Sequence, residues 1–256
     1  MIFAQSNSVV LRIPEAYWNG KGNFNGLGLA KLKERYVWPL SPKTSNYISD
    51  GSLFSFTENL KRSLHEAWIK AVYEEDLSSQ KSIAEYIIKD WGGIKSLKEE
   101  TLWQHIDLAK SIKEGNQLPS RVDLTGVASY SKLLSVADPS RFAIFDARVA
   151  VSLVAIQLLA NVKSGTHLGF LSGRNNIVGN TNSKAGFSTK AIFRSKSDLF
   201  SGWLKPASKD VYGVYLALLG QDAAVLGVPM SHLEMALFTD AELLASICAS
   251  KFSVDL

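Results

Sequence analysis

Apolar residues recur at helical spacing along most of the chain after residue 50. Leu60, Leu64 and Trp68 start one such series, and Tyr215 and Leu219 lie on one face of another. Residues three or four positions apart project from the same side of an α-helix, so this pattern predicts amphipathic helices. Helices are predicted from Ser55 onward and over residues 80–91, 96–115, 127–136, 147–160 and 208–256. The expected fold class is therefore mainly α.

At four predicted helix starts a serine or threonine is followed three positions later by glutamate, which is the sequence signature of a capping box. In that arrangement both side chains bind free backbone amides at the first turn of a helix. The four pairs are Ser55–Glu58, Ser96–Glu99, Ser231–Glu234 and Thr239–Glu242. They predict helix starts, and they assign these glutamates to folding alone.

Two segments interrupt the helical pattern. Residues 1–50 hold glycine, proline and asparagine at short intervals, which favours turns, with one short strand expected over 8–13. Trp18, Trp38 and Tyr47 indicate that this segment packs against the rest of the chain. Residues 161–207 are rich in glycine, serine, asparagine and lysine. A loop of that length is uncommon in a compact domain, so we expect an insert that is either functional or partly mobile.

Composition narrows the class of protein. The chain has 256 residues, of which 46% are hydrophobic, so it can bury a core and is not a disordered chain. Its one cysteine, Cys248, excludes an internal disulfide, a cysteine zinc ribbon and a four-cysteine iron–sulfur cluster. This cysteine usage favours a reducing compartment, and we expect a cytoplasmic protein.

Several other classes lack their motifs. No apolar run reaches the ~20 residues of a membrane span, and the first residues lack the pattern of a signal peptide. The four histidines form no zinc-binding pair, so we expect no metal site. Neither a P-loop nor a GxGxxG motif precedes a helix, so we expect no nucleotide and no other cofactor. The net charge of +4 permits a polyanionic partner without requiring one.

The most informative stretch begins with a glycine turn at residues 124–128, Leu-Thr-Gly-Val-Ala. Gly126 can adopt a positive φ, and the small Ala128 allows another backbone to approach closely. Such a turn leaves the free amides of a helix start pointing outward at the positive end of the helix dipole, where phosphate binds. An ordinary turn between two helices is the alternative interpretation.

An acidic residue, Asp146, follows the glycine turn further along the chain. Residues 142–145, Phe-Ala-Ile-Phe, form an apolar segment that we expect to be extended, and Asp146 comes next at the start of an apolar helix. A carboxylate at this position is favoured by the helix dipole and is also a common N-cap. Asp146 lies twenty residues after Gly126, so the turn and the acid can border one cleft. Helix capping alone is the alternative role.

Together the two motifs resemble those of the helix-hairpin-helix DNA glycosylase superfamily. In that family a Leu-Pro-Gly-Val-Gly hairpin leads into a helix, and an apolar segment then ends in a Val-Asp-Thr-His-Val type motif. Here the hairpin reads Leu-Thr-Gly-Val-Ala, and the acid motif at 145–149 reads Phe-Asp-Ala-Arg-Val. The similarity covers about thirty residues. With Cys248 as its one cysteine, the chain resembles the members that lack an iron–sulfur cluster.

The resemblance implies a fold and a domain organisation. It implies one two-lobed helical body over residues 1–256, with a cleft between the lobes. Residues 1–50 would be its irregular N-terminal segment, and residues 118–160 would hold the hairpin and the catalytic acid. A basic insert over 161–207 and the C-terminal helices of 208–256 would complete it.

The resemblance also implies an activity, namely hydrolysis of the N-glycosidic bond of a base flipped out of DNA. By position, Asp146 would stabilise positive charge on the sugar and orient the attacking water. Backbone amides at the hairpin would bind a DNA phosphate without reading the sequence. The residues implied in this contact are Gly126, Val127, Ala128, Ser129 and Tyr130.

Two positions depart from the family pattern. The bifunctional members have a Schiff-base lysine two positions after the second hairpin glycine, where this chain has Tyr130. We therefore expect a monofunctional enzyme that leaves an abasic site. Lys132 lies two residues further, and its alternatives are a Schiff base with the sugar, a phosphate contact or exposure to water. Arg148 replaces a common histidine and would contact a phosphate, hold the acid charged or form a structural ion pair.

Basic and aromatic residues alternate in the insert, as expected of a DNA-facing surface or of a wedge that enters the base stack. A solvated surface loop is the alternative. The candidate DNA contacts are Arg174, Asn175, Lys190 and Arg194, and the aromatic residues are Phe170, Phe187, Phe193 and Trp203. Trp38 and Trp91 are candidate pocket residues because a flipped base needs an aromatic platform.

The sequence thus predicts a monomeric DNA glycosylase with DNA as its partner, without a membrane, a metal or a nucleotide cofactor. A non-catalytic DNA-binding protein and an unrelated helical interaction protein remain alternatives. The excised base, and a role in repair or in antiviral defence, stay open at this level.

Overall fold

The computed structural model describes residues 12–38, 52–113 and 124–256, and in these residues the fold is mainly α-helical, as predicted. The helices are α1 (Glu15–Trp18), α2 (Leu32–Arg35), α3 (Leu53–Tyr73), α4 (Leu77–Glu85), α5 (Glu99–Lys113), α6 (Val127–Ala137), α7 (Ala147–Leu159), α8 (Ser208–Leu226) and α9 (Met230–Lys251). Most of the strand predicted over 8–13, and Tyr47, lie outside the described residues.

Helix α7 is the centre of the core. Its residues are buried on every side from Val149 to Leu159, as expected of an all-apolar helix. It packs along α9, where the Ser152 hydroxyl donates a hydrogen bond of 2.6 Å to the Leu237 carbonyl. Because α7 begins directly after Asp146, this packing holds Asp146 at the border of the core.

The N-terminal segment is fastened to α9 through one carboxylate. Asp240 accepts hydrogen bonds from the Tyr17 hydroxyl (3.1 Å) and the Gly28 amide (2.8 Å), and it forms an ion pair with Arg35. These contacts bury the segment although little of it is helical. They also bring Trp38, three residues after Arg35, onto the face of α9 that carries the candidate site.

The helix predicted over 80–91 changes its winding before it ends. Helix α4 stops at Glu85, and Tyr86–Trp91 continue as a π-helical turn. Such wide turns are rare and concentrate at functional sites. The turn brings Gly92 against α6, where a Cβ atom would lie 2.6 Å from Cδ of Lys132 and 2.7 Å from the Ile87 carbonyl oxygen. Only glycine fits there without a shift of its neighbours.

The predicted capping boxes are wrong. Helix α3 begins at Leu53 with Ser52 as its N-cap, α5 begins at Glu99 itself, α9 follows Pro229, and Thr239 lies inside α9. The glutamates bind other helices instead, in the pairs Glu58–His232, Glu99–Lys81, Glu234–Lys61 and Glu242–Arg148. Each of these partners comes from another part of the chain, so the local sequence pattern does not contain it.

The 161–207 insert has a small core of its own. A two-stranded antiparallel hairpin, β1 (Arg174–Asn175) and β2 (Gly179–Asn180), is followed by three short 3-10 turns at Phe187–Thr189, Ala191–Phe193 and Asp198–Phe200. The rings of Phe187 and Phe193 stack with centroids 4.1 Å apart, and Trp203 is buried with them. The expectation that these aromatic residues face DNA is therefore corrected, because they form the interior of the insert.

Among the described helices, none is by itself both long and apolar enough to cross a bilayer. Within the same residues, no three His, Cys, Asp or Glu side chains converge in a way that could hold a metal ion.

Candidate active site

Asp146 caps the central helix and keeps one oxygen available. Its Oδ1 accepts hydrogen bonds from the backbone amides of Arg148 (3.0 Å) and Val149 (3.1 Å). Its Oδ2 has no hydrogen-bond partner within the described part of the chain, and the side chain is half-buried. Helix capping and a catalytic role are thus compatible, since Oδ1 caps α7 while Oδ2 stays available for a substrate or a water molecule.

The segment that leads to Asp146 is held by side chains rather than by a sheet. The hydroxyl groups of Tyr212 and Tyr215 donate to the carbonyls of Ala143 (2.9 Å) and Ile144 (2.7 Å). The Phe145 amide donates to a serine hydroxyl on α6 at 3.1 Å. These bonds satisfy buried backbone groups and fix the approach to Asp146.

The predicted hairpin begins α6. Gly126 is its N-cap, with φ of +76°, and is exposed. The amides of Gly126 and Ala128 have no hydrogen-bond partner among the described residues, whereas the Val127 amide donates to the Leu124 carbonyl at 3.0 Å. Two of the three amides that the sequence assigned to a phosphate therefore have no partner within residues 12–38, 52–113 and 124–256, and the Val127 amide is already occupied.

Ser129 and Tyr130 turn inward, because α6 is buried on almost every side. The Ser129 hydroxyl donates to the Gly126 carbonyl (2.7 Å) and lies 3.0 Å from Nε2 of His105. Tyr130 packs edge-on against Tyr212. Their side chains face away from solvent, so the DNA contact predicted for them has no support from their placement.

Lys132 is a buried cation beside Asp146. It is 3% exposed, and its Nζ donates a hydrogen bond of 2.8 Å to the Ala128 carbonyl. The interpretation that Lys132 faces water or a phosphate is therefore corrected. Burial lowers the pKa of Lys132, while the charges of Asp146 and Glu234 oppose that effect.

A second buried pair lies next to these groups. Lys61 of α3 donates to Glu234 of α9 at 2.9 Å, and both side chains are almost fully buried. Burial raises the pKa of Glu234, and Lys61 opposes that change. Asp146 and Lys132 also act on the Glu234 carboxyl, so the four charged groups form one electrostatic cluster.

The two tryptophans proposed as pocket residues meet in an aromatic stack that consists of Trp91, Trp38 and Phe238. The Trp38 ring lies 4.8 Å from that of Trp91 and 4.6 Å from that of Phe238, with interplanar angles of 20° and 30°. Cations flank the stack, since Lys61 Nζ is 5.7 Å from the Trp91 ring and the Arg148 guanidinium is 4.9 Å from that of Phe238. The aromatic stack therefore borders the charged cluster.

Arg148 forms the ion pair that was one of its three alternatives. Its partner is Glu242 of α9, which also accepts a hydrogen bond of 2.7 Å from the Asn175 side chain. The oxygen of Asn175 accepts the amides of Ile177 (2.8 Å) and Val178 (2.9 Å) and so shapes the hairpin turn. Asn175 thus connects the insert to the site and is not free to read a base.

The insert lies directly beside Asp146. A Cβ atom on Gly173 would lie 3.0 Å from Cβ of Ala147, the residue that follows the acid. The side chains of Arg174 and Arg194 are exposed, and that of Lys190 is half-buried. These three predicted DNA contacts are therefore accessible at the surface of the insert.

Neither a family model, a curated protein nor a solved structure matches this chain. The site must therefore be interpreted from its own chemistry.

Sequence reasoning missed the residues that complete the site, and signals for them exist. Leu64 and Trp68 lie three and seven positions after Lys61, so all three share one helical face and Lys61 is a cation on a buried face. Glu234, Phe238 and Glu242 are spaced four apart and share one face of α9. Acids on an otherwise apolar face are unusual and indicate paired or functional groups.

A surface groove lies elsewhere on the protein. A cavity of about 340 Å³ is lined by Trp68, Ala109 and Arg141, among other residues, and does not include Asp146. We place the site at the charged cluster because that location, unlike the groove, combines an available carboxylate with buried cations and aromatic rings.

Proposed function

We propose that the protein is a DNA glycosylase that hydrolyses the N-glycosidic bond of a base flipped out of DNA, with Asp146 as the essential acid. The observation that carries the proposal is the placement of Asp146. Its Oδ2, which has no hydrogen-bond partner among the described residues, lies at the border of a cluster of buried charges and an aromatic stack.

The chemistry requires a carboxylate that meets a developing positive charge on the sugar. The two amide bonds fix Oδ1 of Asp146 and leave Oδ2 to stabilise that charge or to orient water. Lys61 and Arg148 are each paired with a glutamate. The Nζ of Lys132 donates to the Ala128 carbonyl, so within the described residues none of these three basic side chains forms a hydrogen bond to Oδ2 of Asp146.

Binding would use two surfaces that touch the site. The free amides of Gly126 and Ala128 at the start of α6 suit one backbone phosphate. The exposed Arg174 and Arg194 of the adjoining insert suit further phosphates. Both surfaces neutralise backbone charge without reading the base, so selectivity would come from the pocket.

The test incubates the protein with duplexes that each carry a different modified base, followed by cleavage of abasic sites with alkali. We expect wild-type activity on at least one duplex and a loss of at least 100-fold in Asp146→Asn, in keeping with the usual contribution of such a group. Asparagine keeps the amide acceptor of the N-cap, so stability is preserved. Asp210→Asn, in the exposed first turn of α8, is the matched control and retains activity.

Other outcomes have definite meanings. Salt-sensitive DNA binding without any abasic product would favour the non-catalytic DNA-binding protein. Absence of DNA affinity would leave Asp146 as a helix cap only. Full activity in Asp146→Asn would remove the proposed mechanism.

A second candidate is a bifunctional enzyme that uses Lys132, and the lowered pKa of this buried amine favours it. In its uncharged form the amine would attack C1′ as the bond to the base breaks and the base leaves with a proton. Breakage of the C1′–O4′ bond, with O4′ retained on the sugar as a hydroxyl group, would then give the Schiff base. Borohydride trapping of a covalent adduct that disappears in Lys132→Ala and persists in Lys209→Ala, which changes an exposed lysine of α8, would establish it. Without an adduct, the monofunctional proposal stands.

A further inference from the structure

Trp38 fills a slot that is one aromatic ring thick. Its indole lies within 5 Å of both Trp91 and Phe238, and the three planes are close to parallel. This geometry places the indole between the other two rings. A planar group held between two aromatic faces is how proteins hold an unstacked nucleobase.

The indole also makes the hydrogen bond that a base would make. Its Nε1 donates to the Trp91 carbonyl at 3.0 Å. The exocyclic amino groups of adenine and cytosine are N–H donors on the edge of a planar ring, as the indole N–H is. The slot therefore combines a stacking site with an acceptor at its edge.

The walls of the slot are anchored independently of Trp38. Trp91 ends the π-helical turn and lies against Lys61. Phe238 belongs to α9 and lies against Arg148. Trp38, in contrast, follows Val37, which is 62% exposed, so its backbone runs near the surface and its indole points inward. Both walls are therefore held by contacts that do not involve the indole.

We propose that Trp38 is a stand-in for the substrate base: it occupies the slot in the free protein and leaves when a flipped nucleobase with an edge N–H enters. This inference rests on the proposed function. It adds the class of base that is recognised and the way in which Trp38 controls entry of that base. Before a base can bind, the slot must be vacated, which reduces the apparent affinity by the fraction of molecules with the indole out. Only a base that stacks and bonds well displaces the indole.

Binding of small ring compounds tests the slot without DNA. We expect Trp38→Ala to bind free indole at least tenfold more tightly than the wild type does, because the slot is then empty. Indole should bind it about tenfold more tightly than 1-methylindole, since the methylated ring leaves the Trp91 carbonyl unpaired. The amino-bearing bases 9-methyladenine and 1-methylcytosine should bind as well.

A matched control separates the slot from any cavity. Trp203→Ala removes a buried tryptophan from the insert, where Trp203 meets Phe200 edge-on at 86°. That cavity should not select indole over 1-methylindole. Trp38→Leu keeps apolar burial without a stacking plane, and it replaces Trp38→Ala if the latter does not fold. Failure of the folded variant to bind any of these rings would overturn the proposal.

Activity provides an independent arm on a duplex that the wild type cleaves. We expect Trp38→Ala to keep kcat and lower KM several-fold, whereas Phe238→Ala loses at least tenfold in kcat/KM. An equal loss in both variants would make Trp38 a wall of the pocket and contradict the stand-in role. Ring binding by Trp38→Ala together with an inactive wild type would refute the proposed function and retain the slot. Cleavage of a duplex by the wild type without ring binding by Trp38→Ala would refute the slot and retain the proposed function.

Discussion

Lys61 Nζ lies 2.9 Å from Glu234 Oε2 inside the protein, although 173 positions separate the two residues in the chain. The pair joins α3 to α9 at the candidate site. Burial of both charges carries a desolvation cost that their attraction only offsets, so the two residues depend on one another.

Loss of one member of this pair should be costly. We expect Lys61→Met to lower the free energy of unfolding by about 3–5 kcal/mol, because it leaves Glu234 buried without its cation. The double variant Lys61→Met, Glu234→Met should recover most of that loss. Urea denaturation monitored by circular dichroism measures both.

An exposed pair serves as the control. Lys70 and Glu74 lie 3.9 Å apart on the surface of α3 with most of their area in solvent. Lys70→Met should therefore change stability by less than about 0.5 kcal/mol. Equal effects at Lys61 and Lys70 would contradict the interpretation that burial makes the first pair important.

Two glycine substitutions should have opposite effects. Gly92→Ala places a Cβ atom 2.6 Å from Cδ of Lys132 and should destabilise by about 1–3 kcal/mol through overpacking. Gly213 lies inside α8 with open space around it, so Gly213→Ala should stabilise by about 0.5–1 kcal/mol. Thermal unfolding of the two variants gives the signs, and stabilisation by Gly92→Ala would contradict the close packing at Lys132.

The cap at Asp146 can be separated from its chemistry. Asp146→Ala removes the acceptor for two amides at the start of α7 and should cost about 1 kcal/mol, whereas Asp146→Asn should cost only a few tenths. Chemical denaturation distinguishes them. Similar losses of stability in both variants would show that charge, rather than the amide hydrogen bonds, supports the helix start.

His167 should give stability a specific pH dependence. Burial, with Lys205 adding to it, lowers the pKa of His167 to about 4, while its Nδ1 accepts the Gly169 amide. The unfolded chain takes up this proton below about pH 6.5 and the folded protein only near pH 4, so the free energy of unfolding falls as pH decreases across that window. The loss amounts to about 3 kcal/mol at 1.36 kcal/mol per pH unit.

Denaturation at several pH values measures this loss. His167→Asn keeps an acceptor for the Gly169 amide and does not titrate, so its stability relative to the wild type should rise steadily from pH 6.5 to pH 4. A constant difference between the two proteins over that range would show that His167 takes up its proton equally in the folded and unfolded states.

Local pattern alone determined much of this protein. The helical period predicted the start of α3 to within two residues and placed α5, α6 and α7 close to their limits in the structure, because a helix depends on neighbours three and four positions away. The placement of Asp146 at a helix start, and of Gly126 before another, followed from the same short-range rules. These are the features whose partners lie within one turn of the chain.

Only the tertiary structure decided how distant side chains use their groups. Glu234 and Glu242 pair with Lys61 and Arg148 instead of capping helices, and for the buried Glu234 the ion pair offsets the cost of removing its charge from water. The position of Trp38 between its two neighbours depends on a segment held to α9 at Asp240. The desolvation cost of a side chain depends on how deeply it is buried. That burial is defined only once the helices have packed, so these contacts could not be predicted from the sequence.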